Sequence, residues 1–190
     1  MNGWATPRKL RNDCYAIEGF STIRALMALA AAAVLLCGCV LQSRSPLYDD
    51  RHSTLALGDN GGDAFTSTLK DGKWVRDAGE FKIRVVGRHY EATAESSVVT
   101  LHFVPLQDSW FVLQATDTEQ LTAYLLARIS EGTAITYPLS CRDLKQKDKL
   151  LAWIDFEGDD CFIKPTAPER QLFTELLKDP GEPSSRLEIQ

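Results

Sequence analysis

Phe81-Lys82-Ile83-Arg84-Val85 and Val99-Thr100-Leu101-His102-Phe103 alternate apolar and polar residues one by one. A repeat of two is that of a strand with one face in a core and the other in water. Between these runs, Tyr90, Ala92 and Ala94 form the next inward set. Gly87 breaks the phase, which predicts a β-bulge at that glycine. If the chain reverses at Glu95-Ser96, residues whose numbers sum to 191 oppose each other, and His89 then faces His102.

Outward from this pair, further apolar segments recur at Lys73-Trp74-Val75, Trp110 to Ala115, Leu121 to Ile129, Ala134 to Leu139, Leu150 to Phe156 and Cys161 to Lys164. Turn-forming residues separate them at Gln107-Asp108-Ser109, Glu131-Gly132 and Gly158-Asp159. Short strands punctuated this way predict a mainly β fold, an antiparallel meander forming a small barrel or half-barrel. Leu121 to Ile129, with Ala-Tyr-Leu-Leu-Ala inside it, also has the composition of a helix.

After these segments the periodicity changes. Thr166-Ala167-Pro168-Glu169 has capping-box spacing, and Leu172, Phe173, Leu176 and Leu177 fall on one helical face before Pro180-Gly181. This predicts one α-helix over about 167–178, packed by its apolar stripe on the sheet. Residues 67–179 then make a single β-rich domain, with 180–190 as a frayed tail.

The start of the chain is of another kind. Arg8, Lys9, Arg11 and Arg24 precede an uncharged run of 17 residues, Ala25 to Leu41. A basic flank and a short apolar core are the parts of a secretory signal. The alternative, an uncleaved membrane anchor, needs about 20 apolar residues. Within the run, Leu36-Cys37-Gly38-Cys39 resembles the lipobox of bacterial lipoproteins. The resemblance implies that residues 1–38 are removed and that Cys39 is acylated, giving the protein a membrane partner through its N-terminal lipid. Val at position 40, rather than Asp, implies sorting to the outer membrane in preference to the inner one. The stretch 39–66, rich in Ser, Pro, Asp and Gly, reads as a flexible tether.

Removing 1–38 leaves 17 of the 21 basic and 24 of the 26 acidic residues. That balance excludes a nucleic-acid partner and leaves the lipid, not charge, as the membrane attachment. For an exported protein, the isolated pair Cys141 and Cys161 predicts a disulfide.

His89 and His102 are two candidate metal donors. A transition metal needs three or four, and the sequence implies no third, so exposed cross-strand packing is expected and no metal site. The acidic corner Asp155, Glu157, Asp159 and Asp160 reads as a solvated turn. The chain lacks a nucleophile elbow, a P-loop and a dinucleotide fingerprint, and no cofactor is expected.

The resulting expectation is a non-enzymatic envelope lipoprotein that binds a protein partner of assembly or inhibitor type, with Trp110, Tyr124 and Tyr137 as candidate contacts. Gly72-Lys73-Trp74 at the first strand, the many strands and one late helix look like a lipocalin. That resemblance implies the alternative, a carrier of a small apolar ligand lined by Trp74, Phe81, Leu101 and Phe103. A barrel of this length is expected to be filled by its own side chains.

Overall fold

A computed structural model describes residues 40–94 and 97–190. Eight antiparallel strands close a ring: β2 (Gly62–Lys70), β3 (Lys73–Val86), β4 (His89–Ala94), β5 (Ser97–Gln107), β6 (Trp110–Thr116), β7 (Thr122–Ser130), β8 (Thr133–Pro138) and β11 (Ser185–Ile189). Neighbours in sequence pair in order from β2 to β8, and β11 inserts between β8 and β2. Three short strands form a flap beside the ring: β1 (Leu41–Ser43), β9 (Ile154–Glu157) and β10 (Asp160–Ile163). β1 pairs with the start of β7 and runs parallel to β10.

The alternation read from the sequence is the alternation seen. Ile83, Tyr90, Leu101, Phe103 and Leu113 point into the ring together with Leu125, Ala127 and Leu187. On β6 and β7 the opposite face is buried too. Val112, Tyr124 and Leu126 face outward into a second apolar layer holding Leu172, Phe173 and Leu176 of helix α2 (Glu169–Leu177). Two buried faces make a near-continuous apolar run, which is why Leu121 to Ile129 also resembled a helix; it is strand β7. The second layer is fastened by the disulfide between Cys141, at the start of the single turn α1 (Cys141–Leu144), and Cys161 on β10. Their Cα atoms lie 5.5 Å apart.

Several expectations are corrected. Gly87 is not a bulge; with Arg88 it forms the two-residue turn between β3 and β4, with Val86 opposite His89. Its φ of +59° is one that a glycine adopts without strain. Leu150 to Phe156 begins with a 3-10 turn (Asp148–Leu150) and becomes strand only at Ile154. Thr166 does not cap α2, because the helix starts later, with Pro168 at the N-cap and no side-chain cap bond.

The stretch 40–66 is not a tether. Val40 and Leu41 are buried, Leu41 N donates to the Leu139 carbonyl at 2.9 Å, and Ala64 on β2 is in the barrel core. The tail is not frayed either, since β11 supplies Leu187 and Ile189 to the interior. Both segments have few apolar residues, but each pairs with distant strands that supply the missing partners.

Candidate functional site

Residues 44–58 form a strap that leaves β1, crosses the outer face of the barrel and enters its end. Gln114, fully buried on β6, holds the first part of the strap. Its Oε1 accepts from Leu47 N at 3.0 Å and Tyr48 N at 2.9 Å, while its Nε2 donates to the Tyr48 carbonyl at 2.9 Å. Tyr124 Oη shares a hydrogen bond with Ser43 Oγ at 2.8 Å and accepts from Leu47 N at 3.1 Å. Burial pushes the Tyr124 hydroxyl pKa up to about 12. Further on, Thr54 N donates to the Phe103 carbonyl at 2.9 Å. Leu57 then packs into the barrel core, its N–H donating to Tyr90 Oη at 2.9 Å while the same hydroxyl donates to Gly58 O at 2.7 Å.

Gln114→Leu keeps the side chain's bulk but strands the N–H and the carbonyl of Tyr48, each worth about 1–3 kcal/mol if it stays buried, while Leu47 N keeps Tyr124 Oη as its acceptor. The strap is able to turn toward water, so the expected loss is about 2 kcal/mol in a urea melt. Hydrogen exchange is expected to rise first at residues 47–54.

The middle of the strap meets His89 and His102. Because Tyr90, Leu101 and Phe103 point inward, the residues between them point outward, and the β4–β5 register sums to 191 as expected. The two imidazole centroids are 5.0 Å apart. The pair is not the exposed one anticipated, since the strap covers it and leaves the side chains only 17% and 11% accessible. Covering them is Asp50. Its Oδ1 lies 2.6 Å from His89 Nδ1 and 3.3 Å from His102 Nε2. Its Oδ2 accepts from Arg88 N at 3.4 Å. A Cβ on Gly87 would sit 2.5 Å from that oxygen, a second reason for glycine in this turn.

On the far side of the first ring, Glu91 Oε1 is 4.0 Å from His89 Nε2. His102 Nδ1 is buried with no hydrogen-bond partner. Burial, followed by the charge of His89, holds the His102 pKa below its ordinary value, against an opposing pull from Asp50. The hydrogen bond from His89 holds the Asp50 carboxyl below the usual carboxylate range. The arrangement is thus a carboxylate between two imidazoles, with the three donor atoms within 4.8 Å of one another.

Trp110 and Tyr137 remain half-buried on the outer surface, their rings 4.9 Å apart. Tyr124 does not join them. It is fully buried between β6, the strap and α2, with its ring 5.6 Å from Phe173, and so is structural rather than a contact surface. Cys39 and the signal segment lie outside the described residues. Of the acidic corner, Asp155 faces Lys164 at 3.5 Å and Glu157 pairs with Arg44, both at accessible positions. Asp50 and Gln114 are the residues that sequence reasoning missed. The only signal for the first was an Asp49-Asp50 pair in a polar stretch.

No family model matches this sequence, and neither a curated protein nor a solved structure is similar to it.

Proposed function

We propose that this chain is a lipid-anchored envelope protein, acylated at Cys39, that acts by binding a protein partner rather than by catalysis. The observation that carries the choice between partner and cargo is the cluster of inward side chains in the barrel. Tyr90 and Phe103, both fully buried, meet edge to face at 5.8 Å in the interior, and Leu57 of the strap packs against the same core. A carrier of an apolar molecule needs several hundred cubic ångströms of open, apolar-walled space. An eight-stranded antiparallel barrel is the architecture of such carriers, and the packing of Tyr90, Phe103, Leu113, Leu125 and Leu187 on one another inside this one supports a partner over a cargo. The buried polar groups beside it serve the fold. Gln114 and Tyr124 hold the strap, and Thr116 pairs with Thr122 at 3.1 Å.

With Cys39 acylated and Val40 already buried, no spacer separates lipid from barrel. The barrel then rests at the bilayer surface, the outer membrane by the resemblance of its signal, and meets its partner there. Trp110 and Tyr137 are the aromatic residues offered for that contact, as aromatic side chains anchor many interfaces.

Mass spectrometry of membrane-extracted protein is expected to show residues 1–38 absent and Cys39 acylated. A Cys39→Ala chain is expected to carry no acyl mass. A chain that keeps Met1 or Met27 overturns the anchor. Cross-linking in envelopes through a photoreactive group at Trp110 is expected to trap one defined protein. A stoichiometric apolar molecule carried through native mass spectrometry would instead establish the carrier reading.

A further inference from the structure

We propose that Asp50, His89 and His102 form a binding site for a divalent transition metal of the zinc–copper–nickel group, one that clamps the strap to the barrel. Two imidazoles and a carboxylate are the donors such ions take, and three protein donors with an open position make a recurrent zinc set. Here they come from three separate segments: the strap, β4 and β5.

The geometry is close to what an ion requires. Metal–ligand bonds of about 2.0–2.1 Å at tetrahedral angles put neighbouring donor atoms about 3.3 Å apart. Asp50 Oδ1 and His102 Nε2 are already at 3.3 Å. Asp50 Oδ1 and His89 Nδ1 are at 2.6 Å and must separate by several tenths of an ångström. The Asp50 side chain is 46% accessible, so it has room to turn, and the same opening leaves space for water as a fourth ligand.

The histidines are held for the purpose. They stand side by side at the end of the β4–β5 ladder, next to the Tyr90–Leu101 pair, and each backbone is also paired on its other side, His89 with Val86 of β3 and His102 with Gln114 of β6. If the metal takes His89 Nδ1, the remaining Nε2 stands 4.0 Å from Glu91 Oε1, a carboxylate that also pairs with Arg84 and needs a small turn to reach it. A carboxylate behind a metal-bound imidazole fixes its orientation and raises its basicity. His102 is largely buried, its side chain 11% accessible, with Nε2 turned to the cluster and no hydrogen-bond partner at Nδ1. Burial disfavours the charged form of this imidazole, and the neutral form, with a lone pair to give, is the one a metal binds.

The nearby pair Asp49 and His52 provides an internal comparison. These two side chains share a hydrogen bond at 2.9 Å, sit about half-accessible on the strap alone and have no donor from the barrel. They lack the third donor that defines the site. The metal site does not depend on the lipid, because its donors belong to the strap and the barrel.

The test is titration of the full chain, chelator-stripped and with free thiols alkylated, with Zn2+ against a chromophoric chelator and with Co2+ by visible absorption. The expected result is one ion per chain and Co2+ bands of a four- or five-coordinate centre. Asp50→Asn and His89→Gln are each expected to weaken binding at least tenfold. Asp50 is half-accessible and His89 lies outside the barrel core, so both variants should keep the strand spectrum of the parent. His102→Gln is the more disruptive change and serves only as a third point. His52→Gln is expected to leave binding unchanged. Saturating Zn2+ is also expected to slow amide exchange at Thr54 by tenfold or more, because the ion must leave before the strap lifts.

The inference is overturned by failure to bind one ion. It is equally overturned if Asp50→Asn and His89→Gln bind as the parent does, or if His52→Gln abolishes binding. Variants that lose stability while Zn2+ affinity is unchanged would mark the cluster as a hydrogen-bonded latch alone, which also rejects the metal site.

Discussion

Phe103→Ala is expected to lower the unfolding free energy by about 3–5 kcal/mol, the range for removing a fully buried aromatic ring. Phe103 is 0% accessible and stands at the centre of the barrel's aromatic cluster, edge to face with Tyr90 at 5.8 Å and with Phe111 at 6.5 Å. Strands fixed by hydrogen bonds on both sides are poorly able to collapse into the space left, so the cavity persists and its full cost is felt. The backbone carbonyl of the same residue receives Thr54 N, which makes strap and core a coupled unit. Urea denaturation followed by circular dichroism checks the value, and a loss under 1 kcal/mol would contradict a filled interior.

Removing the Cys141–Cys161 bond is expected to cost about 3 kcal/mol, from the loop entropy of the 20 residues it spans. The effect should be felt first outside the ring. The bond ties α1 to β10, and β10 in turn holds β1 by parallel pairing of Leu41 with Cys161 and Gln42 with Phe162. Reduction therefore loosens β1, β9, β10 and the layer under α2 before it reaches β3 or β4. Guanidinium melts with and without reductant give the magnitude, and exchange mass spectrometry gives the order. Peptide mapping without reduction should recover the two cysteines linked.

How far the sequence could be read depended on where each residue's partners lie. Phe81 to Val85 and Val99 to Phe103 carry their inward and outward faces in their own alternation. The strands, the antiparallel meander and the opposition of His89 and His102 were therefore legible, whereas closure of the ring, which needs β11, was left open between a barrel and a half-barrel. The stripe of Leu172, Phe173 and Leu176 likewise announces a helix packed on a sheet, and Cys141 with Cys161 announces the bond. β1 and β11 carry no such pattern. Leu41 is buried because β10 and β7 lie on either side of it, and Leu187 because β2 and β8 do. A polar stretch whose partners are this remote has the composition of a linker. The same blindness hid the third donor of the histidine cluster, since Asp50 reaches His89 on a strap that Gln114, Tyr124 and the Phe103 carbonyl hold in place. Tyr124 was misplaced for a related reason. Its strand is covered on both faces, so no alternation separates an exposed tyrosine from a buried one.

Strand β11 also governs how the ring can be assembled. Ile189 pairs with Ala64 and Glu188 with Thr133, so the seam is sealed by contacts between parts of the chain far apart in order. Joining such distant segments is slow, because loop closure must precede the contacts that stabilise it. Until β11 docks, β2 and β8 display two open edges with unpaired amides and carbonyls beside an apolar interior, a template for pairing with other chains. The hazard of self-association is thus concentrated in the interval before the last strand arrives. A chain cut after Asp179 would remain in that interval for good.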